Sequence, residues 1–276
     1  MAQSPMAEPH VASPGAMRPF ADRVVHVTAT APFRWLAAGW RDFLGSFGAS
    51  LAYGLIFVVA GLLLTATLFA AHAIYLFMPL AAGFMLIGPA ATLGFYAISR
   101  DREQGRTPSL GDAVRAFQAN PGPMLYVGFA LLCLFLLWLR LSQLVFALSF
   151  PSDIGFDAQS LLNATLFTGD GHVFLAITLA MGAVVAALVF AGAAFALPML
   201  LDRPVGMVEA VATSWTAVEM NLPAMVIWAV LLVLLTTLGM ALGIIGLAVT
   251  LPLAGHATWH AYRAVIRPAP PTQPAI

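Results

Sequence analysis

Lysine is absent from this 276-residue chain, and cysteine occurs once, at Cys133. All twelve basic residues are arginine, balanced by twelve acidic ones, so the formal net charge is zero. Without a basic excess there is no electrostatic footprint for nucleic acid. A single cysteine excludes an internal disulfide or a thiolate metal cluster within one chain. The missing lysine reads as codon preference rather than chemistry, although arginine clusters suit lipid phosphates. Charge of either sign is scarce, at 9% of residues against 61% hydrophobic. Globular domains carry about 25% charge and roughly 45–50% apolar residues.

The scarcity is concentrated. No charged side chain occurs in 43–99, 116–139, 171–201 or 220–262. A spanning helix needs ~20 apolar residues, so the four stretches hold about two, one, one and two helices. The fold expected is all-α, an integral membrane protein of six transmembrane helices. The spans fall near 51–71, 79–98, 121 to beyond 138, 172–200, 223–238 and 241–264, with the last pair turning near 239–243. Residues 1–32, with Pro5, Pro9, Pro14, Pro19 and Gly15 and no apolar core of a secretory signal, read as a disordered tail. Within them only 23–28 looks strand-like. Residues 267–276 form a second, Pro-rich tail, leaving 33–266 as the membrane domain.

Orientation follows from arginine. Arg18, Arg23, Arg34 and Arg41 precede the first span, Arg100, Arg102, Arg106 and Arg115 follow the second, Arg203 follows the fourth, and Arg263 and Arg267 follow the sixth. The opposite loops hold no arginine, only Asp153, Asp157 and Asp170. The positive-inside rule places both termini in the cytoplasm. One long span in place of the last two would put the C-terminal arginines outside, which favours six.

The order of features predicts a threefold internal repeat. Each unit opens with an amphipathic helix, at 34–47, 109–119 and 205–218, followed by two spans. The apolar positions at helical spacing are Leu36, Trp40, Phe43 and Phe47, then Leu110, Val114 and Phe117, then Val208, Val211, Trp215 and Val218. Ser109 is placed to cap the second of these helices, and Pro204 to stand at the first position of the third. The second span of each unit carries a proline, Pro89, Pro198 and Pro252. Each leaves the carbonyl of Met85, Ala194 or Ala248 without its helical donor. In lipid that group needs a neighbouring helix or water, so the proline faces are expected to turn inward, toward one another or a cavity.

Four motifs carry a family resemblance. They are Phe33-Arg34-Trp35-Leu36 with Gly39-Trp40-Arg41-Asp42-Phe43; Gly88-Pro89 with Gly94, Tyr96, Ser99-Arg100 and Pro108 to Ala113; Leu200-Leu201-Asp202-Arg203; and Gly255-His256-Ala257-Thr258-Trp259-His260 with Tyr262-Arg263. Together the chain resembles the bacterial predicted integral membrane proteins grouped as domain of unknown function 2189, over about 33–263, with the last motif the most specific. The resemblance implies a six-helix inner-membrane protein and no established activity.

Candidate chemistry is sparse. His256 and His260, spaced i and i+4, share a helical face that can chelate a metal or flank a haem. The competing reading makes them, with Trp259, Tyr262 and Arg263, an interfacial anchor. Arg140 is the only charge inside an apolar run. Twenty residues into its helix it stands about 30 Å along, at the outer interface beside Trp138, with 141–150 lying along the outer surface. It either snorkels there or touches an ion or substrate. His72 and His172 fall near Asp153, Asp157 and Asp170 as an external cation site or solvated loop residues. No phosphate loop, nucleophile elbow, zincin motif or carboxylate pair within a span occurs, so an enzyme has least support. Three classes remain: a structural or partner-binding protein whose partners are the lipid bilayer and a membrane or cytoplasmic protein; a transporter or channel with a cavity at the proline-broken helices; and a metal or haem protein through His256 and His260. Apart from that last class, no cofactor is expected.

Overall fold

A computed structural model describes residues 20–73, 76–150 and 158–268. The remainder of both expected tails, with Asp153 and Asp157, lies outside the described residues. Those described are helical, with one isolated antiparallel bridge, Val24 to Ile266. Twelve α-helices follow in order: α1 (Ala31–Gly45), α2 (Phe47–Ala70), α3 (Phe77–Ala91), α4 (Leu93–Glu103), α5 (Leu110–Arg115), α6 (Pro121–Ser149), α7 (Ala158–Phe167), α8 (Gly169–Ala193), α9 (Ala196–Asp202), α10 (Met207–Met220), α11 (Leu222–Ala241) and α12 (Leu247–Val265). Among the described residues, four stretches are long and apolar enough to cross a membrane: Phe47–Ala70, Pro121–Ser149, Gly169–Asp202 and Leu222–Ala241.

Six such helices are expected from the sequence, and the prolines account for part of the difference. The second expected span is two helices, α3 and α4, meeting at Thr92. Pro89 cannot donate to Met85, and the Thr92 hydroxyl donates to the Pro89 carbonyl at 2.9 Å. The Tyr53 hydroxyl donates across to the Ala91 carbonyl at 3.3 Å. The fourth expected span breaks in the same way between α8 and α9, upstream of Pro198. There one side chain serves both sides of the break: Ser214 Oγ donates to the Ala191 carbonyl at 2.8 Å and accepts from the Phe195 N–H at 3.1 Å. Residues 141–149, expected along the outer surface, instead continue α6. At ~1.5 Å per residue this 29-residue helix exceeds a ~30 Å hydrocarbon core. The last turn falls at 242–246 rather than 239–243, with Gly243 at φ 73° and Ile244 at φ 69°.

The centre of packing is α12, which lies against α1, α2, α4 and α11. Small residues allow this. A Cβ on Gly39 of α1 would stand 2.6 Å from the Ala257 nitrogen, and one on Gly255 would meet Phe95 of α4 at 2.6 Å. Trp228, Trp259, Tyr262, Phe43, Phe95 and Phe195 fill the surrounding core. The strand-like segment forms an extended arm beside the end of α12. Val25 N–H donates to the Val265 carbonyl at 2.8 Å and Arg267 N–H to the Arg23 carbonyl at 2.9 Å. Buried Asn221 clamps the arm, accepting from Val27 N–H at 2.8 Å and donating to the Val25 carbonyl at 3.1 Å.

The three short amphipathic helices form as α1, α5 and α10. Ser109 caps α5 through the Asp112 N–H, as expected. Pro204 does not open α10, which starts at Met207 after Gly206. The apolar stripes largely face outward. In α1 the inward residues are Ala31, Trp35, Gly39 and Phe43, while Trp40, Leu44 and neighbouring Phe47 are exposed. Leu110, Val114 and Phe117 are exposed, as are Val208 and Trp215, while α10 buries Ala210, Thr213, Ser214 and Ala217. An interfacial helix meets lipid with its large apolar residues and packs on its neighbours through small ones.

Candidate functional site

The four sequence motifs converge at one end of the helices. Asp42 of α1, Ser99 of α4 and His256 and His260 of α12 meet in a hydrogen-bonded cluster that Ser46 and Ser50 complete. Ser99 Oγ donates to Asp42 Oδ2 at 2.7 Å and lies 2.8 Å from His256 Nδ1. Its one hydrogen is committed to the carboxylate, so His256 Nδ1–H is the donor to Ser99. The same tautomer makes Nε2 an acceptor, facing Ser50 Oγ at 2.9 Å. Ser46 Oγ donates to the Asp42 carbonyl at 2.6 Å and stands 3.0 Å from Ser50 Oγ.

Asp42 collects the charge. His260 Nε2 lies 2.9 Å from Oδ2, and Arg102 Nε donates to Oδ1 at 3.2 Å. Burial alone would raise this carboxyl, but the hydrogen bonds from His260 and Ser99 and the nearby imidazoles hold it down at about 2. At neutral pH it is an anion with three donors.

A second cluster surrounds the same helix. Trp259 Nε1 donates to Glu103 Oε2 at 3.1 Å, and Arg263 pairs with Glu103 at 2.8 Å. The Tyr262 hydroxyl donates to Asp202 Oδ2 at 2.7 Å, with Arg203 at 3.4 Å from the same carboxylate. Arg100 donates to the Leu201 carbonyl at 2.8 Å. Arg106 pairs with Asp101 and Arg23 with Glu209. With the Asp42 cluster these contacts form a collar that joins α1 to α4 and α12, and α4, α9 and α12 to one another, while Arg23 ties the arm to α10.

The structure brings His256 and His260 together on Asp42, one through Ser99 and the other directly. Of the five residues read as an interfacial anchor, His256, Trp259 and Tyr262 are buried in helix packing, whereas His260 is half-buried and Arg263 is exposed. Both ring nitrogens of His256 face hydroxyls. Among the described residues no group of three or more His, Cys, Asp or Glu side chains is placed to hold a metal. Ser50 and His256 have the spacing of a nucleophile and its base. Both are fully buried, however, and a serine stands where the orienting carboxylate of a catalytic triad would touch the imidazole.

Arg140 is exposed on α6 and reaches Gln143 at 3.2 Å. His72 is exposed, and His172 Nε2 lies 2.9 Å from the Leu166 carbonyl. Pro89 lines a cavity of about 790 Å³ between α3, α8, α11 and α12. Pro198 and Pro252 are buried in helix packing and do not line it. The cavity walls are almost wholly apolar, with Thr92, Tyr96, Thr236, Thr258 and Glu219 among the residues that line it.

Apolar helices of spanning length with polar bracing at one end define an integral membrane protein. Residues 76–202 match the family described as Predicted integral membrane protein (DUF2189), so the resemblance read from the motifs holds over that segment. The first motif and the His256–His260 motif lie outside it. No curated protein and no solved structure matches the chain.

Proposed function

We propose that this is a structural, partner-binding protein of the bacterial inner membrane that crosses six times, keeps both termini in the cytoplasm and catalyses no reaction. The observation that carries the reading is the use of the polar groups. Asp42, Asp101, Glu103, Asp202 and Glu209 each engage arginine, histidine, serine, tyrosine or tryptophan. Most of these pairs join different helices. Polar chemistry here fixes relative helix position.

Two further crossings come from α3 with α4, a helical run interrupted at Pro89 and Thr92, and from the 19-residue α12. With them the arginines of the collar stand on one side, as the positive-inside rule requires. A threefold repeat accounts for the paired asparagines before α6 and α11. Asn120 donates to the Val205 carbonyl at 2.9 Å, just before α10, and Asn221 grips the arm just before α1. In each case one unit holds the entry to the next.

The outward stripe of α1 and α10 rests in the interface and meets the partner there. A photo-crosslinking residue at Trp40 or Trp215 is expected to give a discrete protein adduct in cells, lost when the neighbouring Leu44 or Val208 becomes Glu. Adducts to lipid alone at both positions would overturn partner binding. Transport has the Pro89 cavity in its favour, but its apolar walls suit a hydrocarbon chain and not a hydrated ion.

A further inference from the structure

We propose that the polar pocket between the end of α4 and α5 is a phosphate site, filled by the head group of an anionic phospholipid. The turn that closes α4 builds it. Gly105 stands at φ 70°, in the left-handed region. Its N–H donates to the Arg102 carbonyl at 3.0 Å, and the Arg106 N–H donates to the Asp101 carbonyl at 2.8 Å. These two bonds are the usual ending of a helix at glycine. They fold the chain back, and the Arg106 guanidinium pairs with buried Asp101. Capped by Ser109, α5 then brings Arg115 to the same pocket, paired with Asp112 at 2.9 Å. The space enclosed is about 440 Å³, within the ~300–1,000 Å³ range of small-molecule sites.

Charge selects the ligand. The guanidiniums of Arg100, Arg106 and Arg115 line the pocket with the carboxylates of Asp101 and Asp112, which leaves one net positive charge. The two acids do not use up the donors. A guanidinium offers five N–H groups, and among the described residues Arg106 and Arg115 each engage an acid through Nη2 alone. Arg100 donates through Nη1 to the Leu201 carbonyl, and its Nε is buried without a hydrogen-bond partner. Thr107 and Gln118 add an exposed hydroxyl and an exposed amide. A phosphodiester brings one negative charge and oxygens that accept from guanidinium forks.

The source of the phosphate is read from α5 and the turn after it. Leu110, Val114 and Phe117 are exposed there at helical spacing. A helix with such a face lies in the membrane interface, its apolar side among the acyl chains. Lipid phosphates stand at that level, so the pocket beside α5 meets a lipid-borne phosphate at far higher local concentration than a soluble one. This assignment depends on α5 lying in the interface and not on which side of the membrane the collar faces.

The test uses the full chain, purified in detergent and stripped of lipid, with dioleoyl phosphatidylglycerol, dioleoylglycerol and inorganic phosphate as separate probes. Native mass spectrometry counts retained lipid. Thermal unfolding reads the effect of phosphate and confirms that each variant folds. The wild type is expected to retain phosphatidylglycerol and to release dioleoylglycerol, which has the same chains without the phosphate. One unit of charge near a membrane surface corresponds to about fivefold in affinity, so Arg115→Gln should weaken retention about fivefold. Asp112→Asn, which removes a competing carboxylate and frees Arg115, should strengthen it by a similar factor. Arg34→Gln removes an exposed arginine of α1 outside the lining and should change nothing. If Arg34→Gln weakens retention as much as Arg115→Gln, the attraction is diffuse and there is no site. Weaker retention by Asp112→Asn, or equal retention of the two lipids, overturns the anion assignment. Stabilisation by inorganic phosphate that Arg115→Gln abolishes, without retention of phosphatidylglycerol, keeps the phosphate pocket and overturns a lipid as its source.

Discussion

Asp42 shows how much a single carboxylate can organise. It accepts from Ser99, His260 and Arg102, which come from two other helices. Its carboxyl is held at about 2 in the folded protein, below the ~3.9 of an unfolded chain. A depressed acid contributes stability that is complete above the unfolded value and lost as pH falls through the folded one. Detergent-solubilised protein is therefore expected to lose on the order of 2 kcal/mol between about pH 4 and pH 2. Asp42→Asn should be less stable at neutral pH and flat across that window, a comparison that thermal unfolding at stepped pH makes directly. Ser99→Ala leaves the buried His256 Nδ1–H without its acceptor, at a cost of about 1–3 kcal/mol. Ser99→Thr, which keeps the hydroxyl, should recover part of that loss. These residues were only partly visible in the sequence. Asp42, Ser99 and His256 all lie within the quoted motifs, yet nothing in one dimension says that they touch, because the partners of His256 are 157 and 206 residues away. Ser50 carried no signal of its own. A serine in an apolar run looks the same whether it bonds its own helix or a distant ring.

Among the elements, the helices themselves were legible and their inward faces were not. Charge-free runs located the long helices, and Ser109 announced the start of α5. Trp40 and Leu44 on α1, and Val208 and Trp215 on α10, point outward because lipid accepts large apolar side chains as readily as a core does. Hydrophobic spacing at a bilayer surface identifies a face without saying which way it looks. Small residues carry that information. Gly39 admits the backbone of Ala257 where α1 crosses α12. Gly39→Ala improves helix propensity by about 1 kcal/mol, but the added Cβ has no room. Net destabilisation of about 1–3 kcal/mol is expected, and more for Gly39→Val. Gly48→Ala, where a Cβ meets open space, should be neutral or stabilising. Measured side by side, the two substitutions separate packing from propensity.

For the whole molecule the open quantity is the number of crossings. Length and composition mark four stretches, whereas the arginine distribution asks for six. In the six-crossing arrangement proposed above, the break at Pro89 and Thr92 interrupts one crossing, and the polar end of α12 lowers the apolarity of another. In a Cys133→Ser background, Gly243→Cys should react with a membrane-impermeant maleimide on intact cells, and Gly105→Cys only after permeabilisation. Labelling of both from the same side would remove the six-crossing arrangement.

The same architecture sets an order of events during synthesis. His260 is joined to Asp42 across 218 residues. At about 5–20 residues per second, α12 leaves the ribosome roughly 10–40 s after α1. Through that interval α1 and α2 sit at the membrane with Ser50, Asp42 and the bare backbone groove at Gly39 awaiting their counterpart. The collar is closed only when the final helix arrives, so a nascent chain stalled before α12 presents quality-control proteases with a half-built membrane protein whose polar interior is still open.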